Sequence, residues 1–137
     1  MDQFILATPG GARATFSSRV IDSNGWVDSY AVELRASNFS ACTVVENPGY
    51  GNPPSQLLKE LAANWRGWKG VKSWLALEGE LKIEATCDAL GHVTLSFTIP
   101  AYSGQKQWTA SAKVVCEAGQ LEALAKEAQA FFSGSDA

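Results

Sequence analysis

The chain carries a single histidine, His92. An imidazole titrates near neutrality, so it is the natural candidate for a general base or a proton shuttle. His92 leaves the turn Asp88-Ala89-Leu90-Gly91 and occupies the polar phase of a strand pattern. A general base also needs an orienting partner and a nucleophile, and no neighbouring motif supplies them. His92 therefore reads as a solvent-facing strand residue. With one histidine and the scattered cysteines Cys42, Cys87 and Cys116, no ligand spacing for zinc is present. We expect no bound metal, no cofactor and no catalytic residue.

Glu78, Glu80 and Glu84 fall on the same strand face as His92. Paired carboxylates divide acid and base roles when burial pushes their pKa values apart. An open polar face gives little burial, and Lys82 stands among them, so charge pairing accounts for the row. The glycine pairs Gly10-Gly11 and Gly49-Tyr50-Gly51 match neither a phosphate-binding loop nor a dinucleotide fingerprint. The three cysteines form no disulfide framework. Cys87 and Cys116 share the apolar phase of their strands, as small buried thiols do. All three are expected to be reduced.

The most distinctive short segment is Trp65-Arg66-Gly67-Trp68-Lys69-Gly70. Trp65 completes the apolar face of a helix, and its default place is the core. Trp68 lies past the helix end, beside Arg66 and Lys69. Exposed tryptophan and arginine are the residue types that anchor binding surfaces. A surface built on Trp68, Arg66 and Tyr50 is the candidate binding site. The competing reading has Trp68 and Trp74 covering the edge of the core, with Arg66 over an aromatic ring.

The elements that must position these residues follow from periodicity. From Leu77, the residues Leu77, Gly79, Leu81, Ile83, Ala85 and Cys87 alternate with Glu78, Glu80, Lys82, Glu84 and Thr86. After Gly91, Val93, Leu95, Phe97 and Ile99 alternate with polar residues, and Trp108 to Cys116 does the same. Side chains on a strand alternate faces, so this is a sheet with one apolar side. Upstream, Ala12–Ile21 and Trp26–Ala36 flank Asp22-Ser23-Asn24-Gly25, a hairpin signal. Phe39–Val45 makes a third strand, while the leader closed by Pro9-Gly10-Gly11 is either a strand or a loose arm. The Pro/Gly-rich stretch from Asn47 to Pro54 is a loop. Helices follow at about Ser55–Trp65 and Gly119–Phe132, each with an apolar stripe at helical spacing. The expected fold is α+β and two-layered. It has a mostly antiparallel six-stranded sheet with two helices on one face, in the order β-β-β-α-β-β-β-α. One domain spans 1–137, with frayed ends at 1–11 and 133–137.

The 137 residues carry a formal net charge of −3. No Lys/Arg cluster offsets it, which argues against a nucleic-acid partner. No apolar run is long enough for a signal peptide or a membrane span. A reduced, leaderless chain points to the cytoplasm.

At Trp65-Arg66-Gly67-Trp68, Trp74-Leu75-Ala76-Leu77-Glu78-Gly79-Glu80-Leu81, Gly91-His92-Val93 and Gly119-Gln120-Leu121, the chain resembles a bacterial family. That family is domain of unknown function 6228, and the likeness spans about Tyr30 to Phe132. The resemblance implies a small bacterial single-domain protein and brings no activity, cofactor or catalytic residue. The leading expectation is a non-enzymatic interaction or binding module. It would act on a protein partner, or on itself, through the polar sheet face or a strand edge. Immunity and accessory proteins offer a fold-level analogy. The rivals are a self-associating structural protein and a small-molecule binder or enzyme. The last would have a pocket near the 47–74 loop and helix.

Overall fold

The Asn24-Gly25 signal closes a hairpin as its residue types require. The Asp22 carboxylate accepts hydrogen bonds from the backbone N–H groups of Asn24 and Trp26, both at 2.9 Å. Around this turn the first sheet forms. In the computed structural model, which describes residues 2–47, 52–100 and 108–134, β1 (Phe4–Ala7), β2 (Arg13–Ile21), β3 (Val27–Ala36) and β4 (Phe39–Glu46) pair antiparallel in that order. Helix α1 (Pro54–Ala63) leads to a second antiparallel sheet of β5 (Lys72–Leu75), β6 (Lys82–Cys87), β7 (His92–Pro100) and β8 (Thr109–Glu117). A short 3-10 turn at Ala118–Gln120 then opens helix α2 (Leu121–Phe132).

The α+β class and the two amphipathic helices are as the periodicity predicts. The single six-stranded sheet is not: the chain builds two separate four-stranded sheets. Phe4–Ala7 is a strand. The alternation running through Leu77, Gly79 and Leu81 is not one strand but the turn between β5 and β6. That turn is closed by Gly79 N–H to the Ala76 carbonyl at 2.8 Å and by Ala76 N–H to the Leu81 carbonyl at 2.9 Å. Gly79 takes a φ of +77°, a left-handed conformation that glycine adopts without strain. The turn's accidental apolar phase hides the break.

The helices do not lie alone on one face. The apolar sides of both sheets and both helices join one core. The rings of Phe16 on β2 and Phe97 on β7 stand 6.4 Å apart, so the two sheets meet directly. Strand β8 touches β1, β2 and β3 in turn, and therefore crosses the first sheet instead of running beside one strand. Helix α2 packs on α1 and reaches β1, while α1 lies against β5.

A bulge fixes the end of α2. The register of β2 slips between Ser17 and Val20, with Ser18 at a φ of +52°. Such a bulge re-aims the side chains beside it. Arg19 donates to the Phe131 carbonyl at 2.8 Å, and its guanidinium carbon lies 5.2 Å from the centre of the Phe131 ring. A cation at the carbonyl end of a helix both caps it and opposes its dipole.

Candidate functional site

Two β4 hydrogen bonds reveal which way its amides point. Asn47, just past the strand, donates its N–H to the Asp28 carbonyl on the β3 side at 2.8 Å. Glu46 donates in the other direction, to the Glu80 carboxylate at 2.8 Å. Backbone groups alternate along a strand. Ser40, Cys42 and Val44 therefore aim their N–H and C=O groups away from β3, along a free edge. Among the described residues these groups have no hydrogen-bond partner.

This edge differs from the other three. Strands β1 and β5 are four residues long. At β8 the Thr8 hydroxyl accepts from Val115 N–H at 2.7 Å, the Gln120 side chain accepts from Glu117 N–H at 2.8 Å, and Lys113 stands in the stretch left open. Strand β4 is eight residues long, regular in register, and free of proline and lysine. Val44 is 58% exposed on it. A groove of about 460 Å³ runs against this edge, lined by Phe39, Ala41, Cys42, Trp108 and Ala110 among others. Trp108, which the alternation assigns to the apolar side, is 52% exposed at the groove's rim.

At the far end of the same edge lies a buried polar couple. Glu80, expected on the solvent face, is buried with its charge against Glu46 N–H. The reason is the β5–β6 turn, which carries it out of strand phase and onto the seam between the sheets. Its second carboxylate oxygen and the buried Tyr30 hydroxyl have no hydrogen-bond partner among the described residues. Burial, and then the charge of Glu80, push the Tyr30 phenol far above its usual range.

His92 does have an orienting partner. Its Nδ1 lies 2.9 Å from Asp88 Oδ2, while Asp88 Oδ1 accepts from the backbone N–H of His92 and Leu90, each at 2.9 Å. Residues Asp88 and His92 are the two ends of the turn, so the pairing was present in the spacing. The other ring nitrogen faces Glu117 at 3.7 Å, a carboxylate and not a hydroxyl or thiol that an imidazole base would activate. The backbone and side-chain hydrogen bonds from His92 hold Asp88 below the usual carboxylate range. In return, the Asp88 hydrogen bond and charge, with Glu117, raise His92 above its usual value. The imidazolium is thus favoured in the folded state and stays charged to higher pH. Its stabilising contribution is full below the unfolded pKa and is lost as pH rises through the folded one. An NMR titration should place His92 above about 6.5, and Asp88→Asn should bring it down. A midpoint that the substitution leaves in place would show the pair does not exist in solution.

The tryptophan segment is split up. Trp65 is 53% exposed instead of in the core, because α1 ends at Ala63 and Trp65 lies beyond it. Arg66 lies over the Trp65 ring at 5.3 Å, and not over Trp68. Trp68 is half-buried against the core, with its indole N–H donated to the Ala85 carbonyl at 3.2 Å. Tyr50 lies outside the described residues, as do residues 48–49 and 51 of the Pro/Gly-rich loop. Trp74 is buried and donates to the Asn52 carbonyl at 2.7 Å. Beside it, an open groove of about 510 Å³ runs between α1 and β5, lined by Asn52, Gln56, Lys59, Glu60, Ser73 and Trp74 among others.

The three cysteines are free thiols. Cys116 is buried, and that burial, with the nearby Glu117 and Cys87, pushes its thiol up to about 11. Cys87 is half-buried and Cys42 is exposed on β4. No group of three metal-ligating side chains converges among the described residues. Among the described residues no helix is long and apolar enough to cross a membrane.

The model of a family of unknown function, DUF6228, matches residues 6–135. The chain belongs to this family. The DUF6228 match begins inside β1 and takes in every later strand and both helices. It therefore covers the N-terminal sheet as well as the segments on which the resemblance rests. No curated protein and no solved structure matches the chain.

Proposed function

We propose that this DUF6228 chain is a non-enzymatic interaction module whose contact surface is the free edge of β4 with the Phe39–Trp108 groove beside it. The carrying observation is the row of open backbone groups at Ser40, Cys42 and Val44, on a long edge that none of the described residues covers. Such an edge is a template for another extended chain, and natural proteins normally blunt it. Strand addition obtains affinity from main-chain hydrogen bonds and selectivity from pockets that take alternate side chains. The groove supplies such a pocket. The three free thiols fit work in a reducing bacterial cytoplasm. The small-molecule reading attaches to the groove between α1 and β5. There Glu60 is already paired with Lys72 at 2.9 Å, and among the described residues no unpartnered buried polar group lines it.

The test uses Val44→Pro. The Val44 amide points outward, so proline removes an edge donor without removing a rung to β3. Peptides selected from a display library on the parent protein should bind Val44→Pro at least about tenfold more weakly, the worth of one hydrogen bond. Selected peptides indifferent to this substitution would overturn the reading.

A further inference from the structure

We propose that the occupant of the β4 edge is a second copy of this chain, paired antiparallel β4 to β4 about a two-fold axis at Cys42. The inference rests on the edge reading above and adds the partner.

The register follows from what blocks the alternatives. In a symmetric antiparallel pair, the axis can pass only through a residue whose backbone groups point outward, or between two such residues. Centring it on Val44 would require the Glu46 N–H, which the Glu80 carboxylate already holds at 2.8 Å. Centring it on Ser40 would require Asn38 as an extended residue, yet Asn38 turns the chain with a φ of +59°. Placing it between two outward residues, at Ala41 or Thr43, leaves Val44 opposite Asn38 or Ser40 opposite Glu46, and closes fewer rungs. Centring it on Cys42 uses Ser40, Cys42 and Val44 and nothing else. Each Cys42 then exchanges both hydrogen bonds with its counterpart. Each Ser40 does the same with the second copy's Val44. All three open rungs close, with no donor or acceptor left over. A two-fold contact of this kind is isologous, so it consumes the edge and stops at two chains.

The neighbouring surfaces fit that arrangement. Running antiparallel, the Glu46 end of one β4 meets the Phe39 end of the other. The first end carries the β5–β6 turn with its exposed Leu77, and the second carries the open Phe39–Trp108 groove. Each end thus brings an exposed apolar element, Leu77 at one and the groove at the other. No charged residue lies between Phe39 and Val45 to oppose the approach.

The experiment is sedimentation velocity over micromolar to several hundred micromolar protein. The parent should shift toward twice the monomer mass as concentration rises. Two variants interrogate the contact. Val44→Pro removes one donor per copy. Cys42→Lys, at an exposed position, places two ammonium groups face to face across the axis. Each should weaken association at least about tenfold, while circular dichroism shows the parent fold.

A parent that stays monomeric at every concentration overturns the proposal. So does a dimer that ignores both variants. Monomeric protein that still binds selected peptides in a Val44→Pro-sensitive way overturns the second copy and leaves the edge reading standing. Monomeric protein whose peptide binding also ignores Val44→Pro overturns both.

Discussion

Replacing Phe132 with alanine is expected to destabilise the protein by about 3–5 kcal/mol, the range for deleting a fully buried aromatic ring. Phe132 is buried at the last turn of α2. Its ring meets Tyr30 at 5.0 Å, Phe16 at 5.6 Å and Phe4 at 6.3 Å, all edge-on, with Phe131 at 4.9 Å. Edge-to-face aromatic pairs contribute about 0.5–1.5 kcal/mol each beyond the area they bury. Truncation therefore removes the ring that joins α2 to three strands of the first sheet, and it leaves a cavity that stiff neighbouring rings cannot fill. Domains of this kind have about 5–15 kcal/mol of stability in all. The midpoint of a urea titration should fall by a large fraction while its slope is unchanged. A loss under about 1 kcal/mol would mean the cluster is not what holds α2 in place.

The second large effect concerns Tyr30 and Glu80, and the two residues should respond with opposite signs. Glu80→Ala strips the acceptor from the Glu46 amide at the seam between the sheets. Leaving a buried donor unmade costs about 1–3 kcal/mol, and losing a charged acceptor adds to it. Tyr30→Phe instead removes a buried hydroxyl that has no partner among the described residues, and it keeps the ring packed on Phe132. That change should leave stability unaltered or raise it by about 1–2 kcal/mol, because the desolvation penalty disappears with the hydroxyl. The alkaline limb is a further readout. The folded phenol holds its proton more tightly than the unfolded one. Stability is therefore complete below the unfolded tyrosine value of about 10 and falls as pH rises beyond it. Thermal melts above that pH should show the Tyr30→Phe protein losing less than the parent. Equal losses in the two proteins would place the hydroxyl in contact with solvent.

What the sequence discloses follows the range of the forces involved. Strands β6, β7 and β8 are legible because period-2 alternation is local, and Ile83, Leu95, Phe97 and Val114 do face the core. Both helices are legible for the same reason at period 3.6. The division into two sheets is not, because the order of strands depends on pairings between distant segments, and α1 intervenes where β4 and β5 might have been neighbours. Residues Leu77–Glu80 mislead because a four-residue turn can keep strand phase by accident. The Asp88–His92 pair was within reach, since the two ends of a tight turn always lie close. The β4 edge was not. Only the folded order of strands shows that Ser40, Cys42 and Val44 lack a neighbour while the Thr8 hydroxyl protects β8.

The grip of Arg19 on the end of α2 bears on how the chain is made. Arg19 and Phe131 are 112 residues apart in sequence, and Phe132 completes the cluster around Phe4, Phe16 and Tyr30. The apolar side of the first sheet emerges from the ribosome well before its cover, which follows 112 residues after Arg19. At about 5–20 residues per second, the nascent sheet waits several seconds or more with its aromatic face open. Contacts this distant in sequence make folding slow, since loop closure precedes any reward. The aromatic cluster thus closes only once α2 has been made, and until then its open face is the kind of surface that chaperones shield.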